Sequence, residues 1–429
     1  MNTRFKQKRY HNYHKHDHKG NIRSLDCIAK MEDYAKRAKE LGHTHIFTTN
    51  HGYQGDVHEA LTIGRKYDLQ VVSSVEAYYV PNRFEKDRRN FHLILVALNH
   101  QGFLDINRIM SEANKTGYYY KPRIDDELLF SVNPNNIIVT TACVAGIARE
   151  SNQDKIALLT RLKQHFGSNL YLEVQPHNHE VQINHNVLML ELSQQLDIDI
   201  ISACDSHYIY EKDAKYRDLF LSAKGIRYEE EEGFILDYPD YDTLFERYVS
   251  QDVLTLEQIE RAINNTLVFD KCTPLEINFD IKLPKVSEDS VAEFKQLINE
   301  GWKRERQYVP RERWKEYLEA IQYECDIVLG THMQDYFILD HKVVKRGVEK
   351  YGGVITRTGR GSAPSFYINK LLGLTDIDRL NCPITLYPTR FISKTRILET
   401  RSLPDELTSL YTVMYIEKPC EPRNLGCVA

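Results

Sequence analysis

Four short apolar stretches in the first half of this 429-residue chain run into residues able to ligate a metal ion. HIFTTN leads into His51, LQVVSSV into Glu76, NIIVTTA into Cys143, and DIDIISAC into Asp205-Ser206-His207. Between them lie stretches with helical periodicity, at 31–42 and roughly 54–67, 103–114, 155–166 and 181–196. Strand and helix in repetition predict an α/β fold with a parallel sheet and crossover helices. In a parallel barrel the C-terminal strand ends meet at one rim, where such barrels carry their active sites. One strand breaks the pattern: His92 opens FHLILVAL instead of closing it. Spacing alone gives it no reason to reach that rim.

The first donors come earlier, in YHKHDHKGNIRSLD (13–26). In an extended strand His14 and His16 point to the same face. Asp17 and Asp26 are near enough to add a carboxylate. Fifteen of the seventeen histidines precede Tyr208, which assigns imidazole chemistry to the N-terminal half. Nitrogen and oxygen donors with one thiolate suit Zn²⁺, with Mn²⁺ or Fe as alternatives. The eight cysteines show no CxxC spacing, which argues against a disulfide framework or a zinc ribbon.

A chain of this length is expected to hold two or three domains. The basic N-terminus has no apolar signal core, and no apolar run approaches bilayer length. A cytoplasmic protein without a membrane partner is expected. The net charge of −5 hides an asymmetry, since residues 341–401 hold twelve Lys/Arg against four Asp/Glu. Within that basic region, GGVITRTGRGSAPSFYINKLLGL (352–374) places Arg360, Gly361 and Ser362 in a Gly-rich turn before an apolar, helix-like run. Such a turn offers backbone N–H groups and a helix dipole to a phosphate, although an ordinary turn has the same pattern. The run Glu229–Glu232 reads as a solvated acidic loop.

The order of these segments resembles the N-terminal part of the alpha subunit of bacterial DNA polymerase III, a C-family polymerase. The resemblance spans residues 13–405. YHKHDHKGNIRSLD, TTNHG, SSVEAYYV, FHLILVALNHQGF, YYYKPRIDDELL, TTACVAGIARE and CDSHYI look like the PHP (polymerase and histidinol phosphatase) domain. KLPKV and TGRGSAPSFYINKLLGLTDIDRL look like the entry to the polymerase palm.

The resemblance implies a distorted, TIM-like (β/α)7 barrel over 1–225, an acidic loop and helical connector over 226–285, and the N-terminal part of a palm over 286–407. It implies a cluster of up to three metals held by His14, His16, Asp26, His51, Glu76, His92, Cys143, Asp205 and His207, and a 3′→5′ exonuclease activity. Asn50 stands where the family usually has Asp, and Phe366 where it often has a second Ser. In 118–123, YYYKPR, the tyrosines are read as stacking a frayed base with Lys121 and Arg123 on phosphate, or else as core and turn residues. Gly361 and Ser362 match the segment that holds the phosphates of an incoming dNTP. The family's Mg²⁺-binding DxD has no counterpart after Asp405, where Glu406 and Leu407 follow, and 408–429 reads as an unrelated tail. The expectation is a truncated alpha subunit with DNA and replisome subunits as partners, unable to polymerise by itself. A stand-alone phosphoesterase and a non-enzymatic replication scaffold are the alternatives.

Overall fold

The computed structural model describes residues 8–54, 57–227, 233–275, 277, 284–355, 361–393 and 395. Two units separate, Met1–Ile277 and Asn278–Ala429. The first unit carries strands β1 (His45–Phe47), β2 (Gln70–Val72), β3 (Ser74–Tyr79), β4 (Phe91–Ala97), β5 (Tyr118–Tyr119), β6 (Lys121–Ile124), β7 (Ile137–Thr140), β8 (Leu170–Val174) and β9 (Ile200–Ser202). Its helices are α1 (Met31–Glu40), α2 (Val57–Tyr67), α3 (His100–Thr116), α4 (Asp126–Leu129), α5 (Asn152–Phe166), α6 (Glu180–Leu196), α7 (Ala214–Ala223), α8 (Tyr241–Gln251) and α9 (Leu256–Asn265). Side-chain caps start several of them: Asn99, Ser151 and Asp240 each accept a backbone N–H from the first turn of α3, α5 and α8.

Seven strands form one sheet in the order β5-β6-β3-β4-β7-β8-β9, and β1 pairs with β2. The parallel sheet expected from sequence is interrupted, because β4 runs antiparallel to both β3 and β7. The stretch read as one strand, LQVVSSV, divides at Ser73. Residues 70–72 pair with β1, whereas 74–79 pair with β4. Glu76 therefore lies inside a strand and not past its end.

Single bridges close the ring. His51 pairs with Glu76, and Lys15 pairs with Ser206 beyond β9. Thr49 Oγ1 donates to Tyr13 O, which seats the N-terminal segment beside the β1 side of the ring. Phe47, Val72, Ile94, Val96, Ile138, Tyr171 and Ile201, from six strands, converge on one buried cluster with Tyr13 and Phe269. A barrel interior filled by side chains has this pattern. Phe269 and Cys272 belong to that cluster, so the stretch read as a connector over 226–285 packs in part with the barrel.

The second unit is helical, with α10 (Ser290–Glu305), α11 (Trp314–Gly330), α12 (Gln334–Tyr351) and α13 (Tyr367–Leu371) around Phe294, Ile298, Val328, Phe337 and Ile368. Gly301 lets α10 lie against α13, since a Cβ there would fall 2.3 Å from Leu371 O. Phe366 is fully buried in this core, 5.1 Å edge-on from Phe391. Gly361 and Ser362 form a turn that opens a three-residue 3-10 segment, with Gly361 at φ +70°. Arg357, Arg360, Glu229–Glu232 and residues 396–429 lie outside the described residues. No described helix is long and apolar enough to cross a membrane.

The buried carboxylate of Glu324 accepts Arg379 Nε at 2.6 Å and Ile368 N at 2.9 Å. Burial raises its pKa against the opposing pull of Arg379. Arg379→Met is expected to destabilise this unit by about 3–5 kcal/mol, because it strands a buried charge. Urea unfolding checks this, and the Glu324→Met/Arg379→Met pair should recover most of the loss. In the barrel, burial lowers the pKa of His43 to about 3. A folded value below the unfolded one, roughly 6.5, means protons favour unfolding. The neutral imidazole's contribution is whole above about pH 6.5 and is lost as pH falls toward 3. Urea titrations at several pH values should show a shallower acid slope in His43→Gln.

Candidate metal centre

The N-terminal segment delivers two imidazoles through strand alternation. His16 N donates to Ser206 O at 2.7 Å and Ser206 N to His14 O at 3.1 Å, which fixes this stretch as extended. His14 and His16 then share a face, with Nε2 atoms 3.3 Å apart. Lys15 points the other way into full burial, where its Nζ donates to Asp17 Oδ2 at 2.8 Å. Asp17 is thereby removed from the centre. Asn50 completes its surroundings, accepting Asp17 N at 2.9 Å and donating to Asp17 Oδ1 at 3.1 Å. A second carboxylate in place of Asn50 would repel Asp17, so the neutral amide suits this site.

Past β9 the chain turns through Asp205 at φ +50°. Its Oδ1 lies 3.0 Å from His14 Nε2 and 3.1 Å from His16 Nε2. His207 Nδ1 donates to Asp205 O at 2.8 Å, which leaves Nε2 as the free lone pair, 3.8 Å from Asp26 Oδ2. Asp26 Oδ2 also lies 3.0 Å from His51 Nε2. The His51 ring stacks on His16 at 3.8 Å, and its Nδ1 meets Glu76 Oε2.

Reversal of β4 resolves the position of His92. An antiparallel strand brings its first residues to the rim where its neighbours end, and His92 pairs in register with Tyr78. Its Nδ1 is 2.9 Å from Glu76 Oε1 and 3.6 Å from Cys143 Sγ. The nine residues that the resemblance names as ligands thus lie around one rim, whereas Asp17, the other carboxylate considered, does not. Their ligand atoms form three compact groups: His14, His16 and Asp205; His16, His51 and His207; and Glu76, His92 and Cys143. Asp26 joins the second through His51.

The donor set fits cations better than it fits itself. Asp26 Oδ1, Glu76 Oε1, Asp205 Oδ1 and His16 Nδ1 are buried without a hydrogen-bond partner. Glu76 Oε1 and Asp205 Oδ1 have imidazole nitrogens near 3 Å, yet out of line for hydrogen bonds. Burial opposes charge on His51, but Asp26 and Glu76 outweigh it and raise its pKa to about 10. Burial and the neighbouring His51 lower His16 to about 3. For Asp205, burial is outweighed by His14 and His16, which hold the carboxyl well below its usual range. Without a cation, the cluster can offset its carboxylates only by protonating imidazoles. A fourth group, His11, His45 and Asp270, differs in that Asp270 already pairs with Arg9.

Glu173 escapes a reading based on strand ends, because it sits inside β8, in a stretch not singled out as a strand. Fully buried, its Oε1 meets His14 Nδ1 at 2.6 Å and accepts Gln175 Nε2 at 2.8 Å. Oε2 accepts Tyr13 Oη at 2.7 Å and Thr140 Oγ1 at 3.0 Å. A carboxylate inside the apolar run LYLEV is the signal that would have found it. Arg123 corrects the phosphate reading of YYYKPR. Its guanidinium donates to the carbonyls of Gly117, Asp87 and Arg83 at 2.9, 2.8 and 2.7 Å, and it is buried.

Residues 14–177 match the PHP domain family, and residues 292–405 match the family described as bacterial DNA polymerase III alpha NTPase domain. The chain is 26% identical over 413 residues to DNA polymerase III subunit alpha of Aquifex aeolicus, covering 89% of this chain and 34% of that protein. It is 26% identical over 408 residues to the Borreliella burgdorferi protein of the same name, with the same 89% and 34% coverage. The chain spans about a third of the length of these curated relatives. A solved structure of a putative metal-dependent phosphoesterase from Bifidobacterium adolescentis aligns with TM-score 0.31 and 12% identity, over 46% of this chain and 87% of that one.

Glu173→Gln keeps the size of the side chain but weakens its hold on the His14 Nδ1 proton. Metal affinity is expected to drop about 10–100-fold. Competition with a chromogenic chelator measures this, and an unchanged circular dichroism spectrum shows that the fold survives.

Proposed function

We propose, for a chain that carries a PHP domain ahead of a region of the bacterial DNA polymerase III alpha type, that the barrel rim is a metal-dependent phosphoesterase centre acting on the 3′ end of DNA. The observation that carries this reading is the convergence of buried donors left without hydrogen-bond partners, Asp26 Oδ1, Glu76 Oε1 and Asp205 Oδ1 among them. Ions held by His14, His16, Asp26, His51, Glu76, His92, Cys143, Asp205 and His207 would lower the pKa of a water and polarise a phosphoryl oxygen. One thiolate among nitrogen and oxygen donors favours Zn²⁺ over Mn²⁺ or Fe.

The chain's own groups supply orientation and charge. Glu173 holds the proton of His14 on Nδ1, so Nε2 stays a donor toward the rim. Lys121 donates to Tyr78 Oη at 3.2 Å. Burial lowers its pKa, with Asp26 and Glu76 opposing that shift, so the amine stands close to the carboxylates of the rim where an anionic ester arrives. Tyr118 and Tyr120 are exposed beside it, with Arg23 at 5.8 Å and Arg88 at 4.2 Å from their ring centres. Interleaved aromatic rings and guanidinium groups stack unpaired bases and meet phosphates without demanding a sequence. A proofreading 3′→5′ exonuclease is the activity this combination supports.

The second unit is read from the same resemblance as the beginning of a nucleotidyltransferase palm. In that reading Arg360, Gly361 and Ser362 face the phosphates of an incoming dNTP, Mg²⁺ serves the complete palm, and DNA and other replisome subunits are the partners.

Purified protein is expected to carry more than one equivalent of transition metal by elemental analysis. It should shorten a 5′-labelled single-stranded oligonucleotide from its 3′ end. His14→Ala and Asp205→Asn should each cut that rate by about 100-fold or more, the upper end of what losing a group that merely supports a ligand costs. Protein that takes up no transition metal, and that leaves the oligonucleotide intact even with Zn²⁺ or Mn²⁺ added, would remove this reading in favour of a replication scaffold.

A further inference from the structure

Next to His51 the rim opens into a cleft of about 350 Å³, lined by Arg23, Tyr53, Gln54, Asn107, Ser111 and Asn114. One wall is the loop after His51. The other is α3, where residues 107, 111 and 114 recur at spacings that share one helical face. The lining is neither a ligand set for a cation nor an apolar pocket. Beside Gly52 and the thioether of Met110, it consists of neutral amides, a hydroxyl, a phenol ring and a single guanidinium. Arg23 donates through Nη2 to Asn114 Oδ1 at 2.8 Å, and its Nε has no partner. Gln54 donates through Nε2 to Ser73 Oγ at 2.8 Å, and its Oε1 is buried and unpaired. An unmet buried polar atom carries a desolvation penalty that a bound ligand can relieve.

The cleft is tied to the donor cluster on two sides. Ser24, adjacent to Arg23, donates to Asp26 Oδ2 at 2.6 Å. Lys121 Nζ lies 3.4 Å from Arg23 O. Resting on the phosphoesterase reading above, we infer that this cleft receives the terminal nucleoside of the strand being cut. The amides of Gln54, Asn107 and Asn114 meet the edge of the base, the Tyr53 ring offers a stacking face, and Arg23 faces phosphate. The cleft is open to solvent and has room for one nucleoside, so an unpaired end, whose base is free to leave the stack, is the form expected to enter. The preferred substrates are then nucleoside phosphodiesters and not simple phosphoesters.

The metal-loaded 429-residue chain is assayed with thymidine 5′-(p-nitrophenyl phosphate) and with bis(p-nitrophenyl) phosphate, which has no nucleoside. Thymidine 5′-monophosphate binding is followed by calorimetry. Ser111→Trp fills the cleft from an exposed helix position, and Arg23→Gln removes its cation. Each is expected to lower the ratio of kcat/KM for the nucleotide ester over the nucleoside-free ester by about 10-fold and to weaken monophosphate binding by a similar factor, near 1.4 kcal/mol. An unchanged ratio together with unchanged monophosphate binding in both variants would overturn the assignment. If the unmodified protein cleaves neither ester, the phosphoesterase reading fails, and loss of monophosphate binding in the variants still decides the cleft.

Discussion

Three carboxylates, Asp26, Glu76 and Asp205, are buried around shared imidazoles, with His51 between Asp26 and Glu76 and His14 between Glu76 and Asp205, and the rest of the first unit answers to that fact. Anionic groups removed from water are stable only beside opposite charge. Here the neighbours are imidazoles, and they divide. Asp26 and Glu76 raise His51, while burial and that neighbour keep His16 neutral. Proton and cation compete for the same sites, since a ligand must give up its proton to bind a metal. A donor cluster of this kind exists only if the backbone around it cannot move apart.

The barrel provides that rigidity. The N-terminal segment, β3, β4, β7 and β9 each hold donors within the strand or close to its end, and their interior side chains fill one core beneath. Three of the seven described non-glycine residues with positive φ lie around the same rim. Ala142, before Cys143, has φ +56°, Asp205 has φ +50° and Tyr120 has φ +61°. Residues other than glycine persist there only when the surroundings over-determine them, and such positions cluster at functional sites. Lys15 and Asp17 contribute from behind, since a buried ion pair on the reverse face of the His14–His16 strand ties it to Asn50. The second unit meets the same physical problem on a smaller scale, with Glu324 held by Arg379 and a backbone N–H.

What could be read from the chain was local. Alternation in the His14-Lys15-His16 strand, helical periodicity and apolar strands running into His, Cys and Asp depend on neighbours a few residues away, and the structure retains them. Readings that needed distant partners fared differently. Arg123 looked like a phosphate contact because a guanidinium beside tyrosines suggests one, yet the carbonyl of nearby Gly117 and those of the distant Asp87 and Arg83 consume it. Glu173 drew no notice because its partners Tyr13, His14 and Thr140 are far away in sequence.

The amino-acid sequence by itself determined the donor inventory, the α/β class and the placement of most donors at strand ends, because these follow from side-chain chemistry and short-range periodicity. Only the tertiary structure decided why His92 belongs with them, since strand direction depends on pairing partners and the reversal of β4 sends its first residues to the common rim. It also removed Asp17 from the centre and added Glu173 behind His14. The reason in each case is that burial and pairing are properties of contacts between segments, which no local pattern in the chain records.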